Sequence, residues 1–252
     1  MITDPAFYAV AVPAILLAGV SKGGFAGGVG FIGVVLLTFV IPAADAAAIL
    51  LPILCIMDLT GGWAYRNAWH RPSMAVLLPG ALIGVVIGAF LFRSFSDQYL
   101  RLIVGSIGVV FGINYYLRRG ASAPPRTPSI AAGTFWGVVS GFTSTLIHAG
   151  APAFSVYMLP KRLETALYVG TSAIFFMIVN YVKLVPYAWL GLFDARNLTT
   201  SLVLAPLAPV GVWLGVWLQR RIAPGPFYRI CYALLLLSGA KLMWDGVAPW
   251  FG

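Results

Sequence analysis

The chain has 252 residues, 60% of them apolar and only 9% charged, with a net charge of +9. An average soluble domain carries roughly a quarter charged residues, so this composition excludes a soluble globular surface. The basic excess does not indicate nucleic acid either, because Lys and Arg fall in short loops between apolar runs rather than on one basic face.

The first apolar stretch is preceded only by Asp4, with no basic n-region and no small-residue cleavage pattern leading into a polar domain. No removable signal peptide is expected. Small and polar residues interrupt this stretch at Gly19–Gly30 (GVSKGGFAGGVG), and helices are predicted next at Ala43–Tyr65, Ser73–Phe92 and Gln98–Leu117. A basic, Pro-rich linker follows at Arg118–Pro128 (RRGASAPPRTP). The second half opens on another interrupted stretch, Ser140–Gly150 (SGFTSTLIHAG), and continues with helices predicted at Thr165–Val182, Asn197–Leu218 and Phe227–Trp244. The runs Gly23–Ala44, Ser73–Phe92, Ser129–Leu159 and Asn197–Leu218 contain no Asp, Glu, Lys or Arg. About 20 apolar residues suffice for a helix to cross the hydrocarbon core. The expected fold is therefore an all-α, multi-pass membrane protein. Its first repeat would occupy residues 1–120, its linker 121–128 and its second repeat 129–252.

The two halves show traces of duplication. Gly84, Gly88 and Arg93 recur as Gly211, Gly215 and Arg220 at an offset of 127, and Arg101 recurs as Arg229 at 128. Gly24-Phe25 recurs as Gly141-Phe142, and Gly33 as Gly150, at 117. One insertion of about ten residues near Leu184–Ala195 reconciles the offsets. Loop charges then bear on topology. If each interrupted stretch turns back as a re-entrant hairpin, Arg66, Arg71, Arg118, Arg119, Arg126, Lys161, Arg162, Arg220, Arg221 and Arg229 share one side. Arg93, Arg101, Lys183 and Arg196 take the other, a division of ten against four. If each stretch crosses once, the same residues divide seven and seven. The hairpin reading gives each half an odd number of crossings, so the second half is inverted relative to the first, the plan of many secondary transporters.

A helix interrupted at the bilayer midplane exposes backbone groups that hydrocarbon does not tolerate, so such breaks mark candidate binding sites. Helices restarting after the two breaks would aim N–H donors and partial positive charge at an anion held between the hairpins. Lys22 lies among Ser21, Gly23, Gly24, Gly27 and Gly28, where it either contacts the anion or snorkels to the head groups. In the second stretch Ser140, Thr143, Ser144, Thr145, His148 and Gly150 are candidate contacts, although small hydroxyl residues also serve packing in membrane helices. Asp58, inside an apolar helix, pairs with a cation such as Lys22 or carries a coupling proton, and His148 is the second candidate for coupling. Asn180 is open between ligand contact and an interhelical hydrogen bond, and Lys183, placed at a helix end, reads as a snorkelling residue. Lys241 and Asp245 form an ordinary i, i+4 pair. Cys55 and Cys231 have no metal-binding spacing, and no metal or cofactor is implied.

The motifs taken together resemble the TauE/SafE sulfite exporter family. They are Ser21-Lys22-Gly23-Gly24-Phe25-Ala26-Gly27-Gly28, Ala46–Leu54 (AAAILLPIL) with Asp58, and Tyr65-Arg66 in the first half. In the second they are Gly141-Phe142-Thr143-Ser144, His148-Ala149-Gly150 with Pro152, Leu159-Pro160-Lys161-Arg162-Leu163, Gly170-Thr171, and Asn180 with Lys183. Ala26 and Ala151 stand where glycine is commoner in the family. The resemblance implies transport, usually export, of sulfite, sulfonates such as sulfoacetate, or related sulfur anions, driven by an ion gradient. It leaves the particular anion, the coupling ion and the oligomeric state open. A passive anion channel is the alternative. An intramembrane serine hydrolase fits less well, since Ser140 stands in GVVSG rather than a GxSxG elbow. No GxxxxGK[ST] phosphate loop is present in the sequence.

Overall fold

A computed structural model describes residues 1–27, 32–37, 40–92, 97–117 and 129–248. The described residues form α1 (Pro5–Gly24), α2 (Ile32–Leu37), α3 (Ala43–Ala64), α4 (Arg71–Leu91), α5 (Asp97–Leu117), α6 (Ile130–Ile147), α7 (Ala151–Met158), α8 (Thr165–Trp189), α9 (Ala195–Leu204), α10 (Leu207–Gln219) and α11 (Pro224–Val247). A short 3-10 turn, Leu159–Lys161, follows α7. Among them, α1, α4, α6, α8 and segments of α3 and α11 are long and apolar enough to cross a membrane. A seventh span arises if α9 and α10, bent by 44° at their junction, count as one. Phe90, Val185 and Leu202 are exposed by 72%, 73% and 74%. Apolar exposure on this scale fits a lipid-facing surface.

The chain gathers into two compact units, Met1–Trp69 with Val169–Arg221, and His70–Tyr168 with Ile222–Gly252. Each unit draws on both sides of the linker. In the first, α1 lies along α10, and α3 packs on α9 and α10. Glycine permits the approach: a Cβ on Gly211 would stand 3.0 Å from the Leu16 carbonyl oxygen, and one on Gly215 would stand 2.8 Å from the Gly24 nitrogen. In the second, α4 lies along α6 and α5 along α11. A Cβ on Gly80 would stand 3.1 Å from the Val138 nitrogen, one on Gly84 2.7 Å from the Phe142 nitrogen, and one on Gly105 2.7 Å from the Gly239 carbonyl oxygen.

Several expectations are revised. Ser21, Lys22, Gly23 and Gly24 are not unwound but form the last turn of α1, which ends at Phe25. The intrinsic cost of helical glycine, roughly 1 kcal/mol each, is offset where Gly23 and Gly24 let α10 come to backbone contact. Likewise Ser140–Ile147 is helical, and the second break is confined to His148–Gly150. Helix α8 runs seven residues past the predicted end, through Pro186 to Trp189, because the apolar sequence continues. The helix predicted at 197–218 is instead two, interrupted at Ala205-Pro206. The linker 121–128 and Gly28 lie outside the described residues.

Candidate functional site

The densest buried polar cluster described lies within the first unit, where α1, α3 and α8 each contribute side chains. Lys22, on the last turn of α1, forms an ion pair with Asp58 Oδ1 of α3, and its Nζ lies 3.4 Å from the Leu54 carbonyl oxygen. Asn180 of α8 donates from Nδ2 to Asp58 Oδ2 at 2.7 Å and accepts at Oδ1 from Lys183 Nζ at 3.0 Å. The carboxylate at one end and the ammonium at the other fix the amide orientation, since a flip would set donor against donor and acceptor against acceptor. Lys183 also lies 5.8 Å from the centre of the Tyr187 ring. Asp58 is 1% exposed, Asn180 3% and Lys183 0%.

These positions choose among the sequence readings. Lys22 does not snorkel but turns inward to a carboxylate, and the Asp58 partner is the one expected. Asn180 makes an interhelical bond and also links the two lysines through the carboxylate. Lys183 is not at a helix end, because α8 continues to Trp189, and its side chain is buried rather than snorkelling. Its i, i+3 spacing from Asn180 places the two on one helical face, as expected from the sequence, and they meet there.

The turn after α1 is held by hydrogen bonds from neighbouring helices. Phe25 N and Gly27 N both donate to the Ser21 carbonyl, at 2.8 and 2.9 Å. Ala26 and Gly27 adopt φ of 54° and 74°. The Ala26 carbonyl accepts from Ser172 Oγ at 3.0 Å, and the Gly23 carbonyl accepts from the Tyr65 hydroxyl at 2.8 Å. Burial pushes the Tyr65 phenol up to about 12, so it remains a neutral donor. Ser172, Tyr65 and Gln219, whose Oε1 lies 3.3 Å from the Tyr65 hydroxyl, were not among the expected site residues. Nothing in the local sequence spacing announces these long-range bonds.

The second break, in the second unit, is built differently. Ser140 Oγ donates to the Gly150 carbonyl at 2.8 Å, Thr143 Oγ1 lies 2.8 Å from the Val139 and 3.0 Å from the Ala149 carbonyl, and Thr145 Oγ1 donates to Gly141 at 2.9 Å. Three candidate hydroxyls thus direct their protons at backbone carbonyls. They satisfy groups that an interrupted helix would otherwise leave bare. Ser144 is buried, and its carbonyl accepts from His148 N at 3.2 Å. His148, half-buried, takes the left-handed conformation at φ 53°, and Gly150 caps α7. These hydrogen bonds pair the hydroxyls of Ser140, Thr143 and Thr145 with backbone carbonyls.

The chain matches the sulfite exporter TauE/SafE family over residues 11–242. It is similar to the probable sulfite/organosulfonate exporter TauE of Cupriavidus necator, with 24% identity over 191 residues covering 72% of this chain and 71% of the relative. It is also similar to the probable inner membrane transporter protein TsaS of Comamonas testosteroni, with 28% identity over 186 residues covering 73% and 76%. No solved structure matches significantly. The family match over nearly the whole chain, with relatives that are transporters rather than enzymes, leads to one assignment: the chain belongs to the sulfite exporter TauE/SafE family of membrane transporters.

Proposed function

We propose that this chain exports a small sulfur-containing anion, such as sulfite or an organosulfonate, across the bacterial inner membrane, and that the anion binds at Lys22 and Lys183. The names of the two relatives support the substrate class and the membrane. One observation carries the site: two amines, Lys22 and Lys183, share a single buried carboxylate, Asp58, through Asn180. Fully ionised, this group of side chains holds one net positive charge in an apolar interior, where an unbalanced charge costs several kcal/mol. A bound anion supplies the missing charge. Asp58 is the group we assign to coupling with an ion gradient, since its charge decides how much of Lys22 is available to substrate.

The proposed architecture is the inverted repeat. Glycines support it, because Gly211 and Gly215 meet α1 as Gly80 and Gly84 meet α6. This packing correspondence has an offset of 131, one helical turn beyond the 127 read from the sequence. The direct test of the substrate reading is a thermal-shift series on the purified protein with sulfite, sulfoacetate, simple carboxylates and a neutral polyol. A ligand at a hundred times its Kd stabilises the native state by about 2.7 kcal/mol. Sulfite or sulfoacetate should raise the midpoint while the polyol does not. Stabilisation by carboxylates alone would overturn the substrate class.

A further inference from the structure

At one end of the first unit the termini of α3 and α10 lie side by side, as the contact between the Tyr65 hydroxyl and Gln219 marks. One local device occurs there twice. Arg66 donates from Nη1 to the Trp63 carbonyl at 2.9 Å, and its guanidinium lies 4.9 Å from the centre of the Trp63 ring. Arg221 donates from Nη1 to the Trp217 carbonyl at 3.3 Å, and its guanidinium lies 3.9 Å from the centre of the Trp217 ring. Trp63 meets Trp213 edge to face at 5.7 Å, and Trp213 stands one turn before Trp217 on α10. The Trp63–Trp213 contact thus brings the arginine-bearing ends of α3 and α10 together. Beside it lies a shallow, open apolar depression of about 480 Å³ along one face of α10, lined by Pro209, Val210, Trp213, Leu214 and Trp217.

Helix capping and cation–π attraction account for where the guanidiniums lie. They do not account for three tryptophans exposed by 59%, 43% and 53%, or for the depression. Each guanidinium has five N–H donors, and only one is directed at its tryptophan carbonyl. Neither arginine meets a carboxylate among the described residues. Arginines at the end of an apolar helix face complement an amphiphile with an anionic head and a long hydrocarbon tail.

We infer that this face binds one anionic phospholipid, its phosphate at Arg66 and Arg221 and an acyl chain along the α10 depression. Charge complementarity selects this occupant over a second copy of the chain, because a twofold contact on the face would bring the same unneutralised arginines toward their own copies. Both arginines belong to the majority side of the loop-charge division, so the lipid belongs to the cytoplasmic leaflet. Two arginines beside an anionic surface correspond to roughly a thirtyfold preference over a zwitterionic lipid.

Native mass spectrometry of the purified protein with phosphatidylglycerol and phosphatidylcholine at equal concentration tests this. The expected result is preferential retention of phosphatidylglycerol by the unaltered protein, lost in Arg66→Gln/Arg221→Gln, with Trp213→Ala retaining less of both lipids. Equal retention of both lipids by the unaltered protein, or an undiminished preference in the double variant, overturns the inference. So does efficient disulfide crosslinking of Leu214→Cys into a homodimer in native membranes, which would assign this face to a second copy. If the double variant does not fold, tryptophan quenching in the unaltered protein decides. Brominated phosphatidylglycerol should quench more than brominated phosphatidylcholine at the same mole fraction, and equal quenching rejects the site.

Discussion

Lys22 and Lys183 approach Asp58 from different helices, so replacing each tests whether both ammonium groups serve the anion. A charge-assisted hydrogen bond contributes about 1.5–3 kcal/mol, so Lys22→Ala should weaken sulfite binding roughly ten- to a hundredfold in calorimetric titration. Lys183→Met, which keeps most of the buried volume, should weaken it comparably. Parental affinity in both variants would move the anion site elsewhere. Asp58→Asn makes the opposite change. Losing one partner of a buried pair costs about 3–5 kcal/mol, so its thermal midpoint should fall. Sulfite should then raise that midpoint by more than it raises the parent's, because two amines now face no carboxylate. An equal sulfite shift in the two proteins would exclude charge balance as the basis of binding. Lys22, Asp58 and Asn180 were legible in the sequence because an ionisable or amide group inside an apolar helix calls for a partner. Lys183 was not, since its burial depends on α8 continuing to Trp189, which local polarity could not establish. The hydroxyls of the second break could not be sorted from sequence for a physical reason: donors that satisfy a broken backbone and donors that await a ligand are the same residue types.

Helices with continuous apolar runs were readable to within two or three residues, as α3, α4, α5 and α11 show. Breaks were not, because glycine signals both a helix end and a close helix crossing. Gly23 and Gly84 are of the second kind. A Cβ on Gly84 would press on the backbone of α6, which has no flexible end to yield, and overpacking of this sort costs about 1–3 kcal/mol. Gly84→Ala should therefore lower the thermal midpoint clearly. Gly191, at φ 72° with open space around its Cα, supplies the comparison. Gly191→Ala carries only the left-handed backbone cost of about 1–2 kcal/mol. A Gly84→Ala protein as stable as the parent would mean that α4 and α6 do not pack this closely. Helix α4 also carries a pH-dependent cap. His70 Nδ1 accepts from Ser73 N at 3.2 Å and lies 2.8 Å from Ser73 Oγ. Burial and the nearby Lys161 hold the imidazole below its ordinary value of 6.5. The folded state therefore prefers the neutral ring. Its stabilising contribution is complete above the unfolded value of 6.5 and is lost as the pH falls through the lowered folded value. His70→Asn keeps a capping acceptor that does not titrate, so its midpoint should fall less than the parent's between roughly pH 7.5 and 5. Identical pH slopes would remove His70 from the acid response.

At the scale of the whole molecule, helix length decides which segments can cross a bilayer, and the distribution of Lys and Arg orients them. Helix α1 has 20 residues and could cross fully, whereas α2 has six and covers only about 9 Å at 1.5 Å per residue. Likewise α6 has 18 residues and α7 eight. Neither α2 nor α7 is long enough to span the hydrocarbon core alone, which is compatible with a re-entrant return in each half. If both return, the first half makes an odd number of net crossings and the linker at Arg118–Pro128 lies opposite the segment before α1. Single cysteines at Thr3 and Ser122, in a protein whose Cys55 and Cys231 have been replaced by Ala, should then react with a membrane-impermeant maleimide from opposite sides. Thr3 should label in intact cells from the periplasm, and Ser122 only after the inner membrane is opened. A third cysteine at Gly191, between α8 and α9, should label with Thr3, because α8 carries the chain back across after the second hairpin. Labelling of Thr3 and Ser122 from the same side would give the first half an even number of crossings. The second half would then repeat the first in parallel, and the inverted architecture proposed from the loop charges would be wrong.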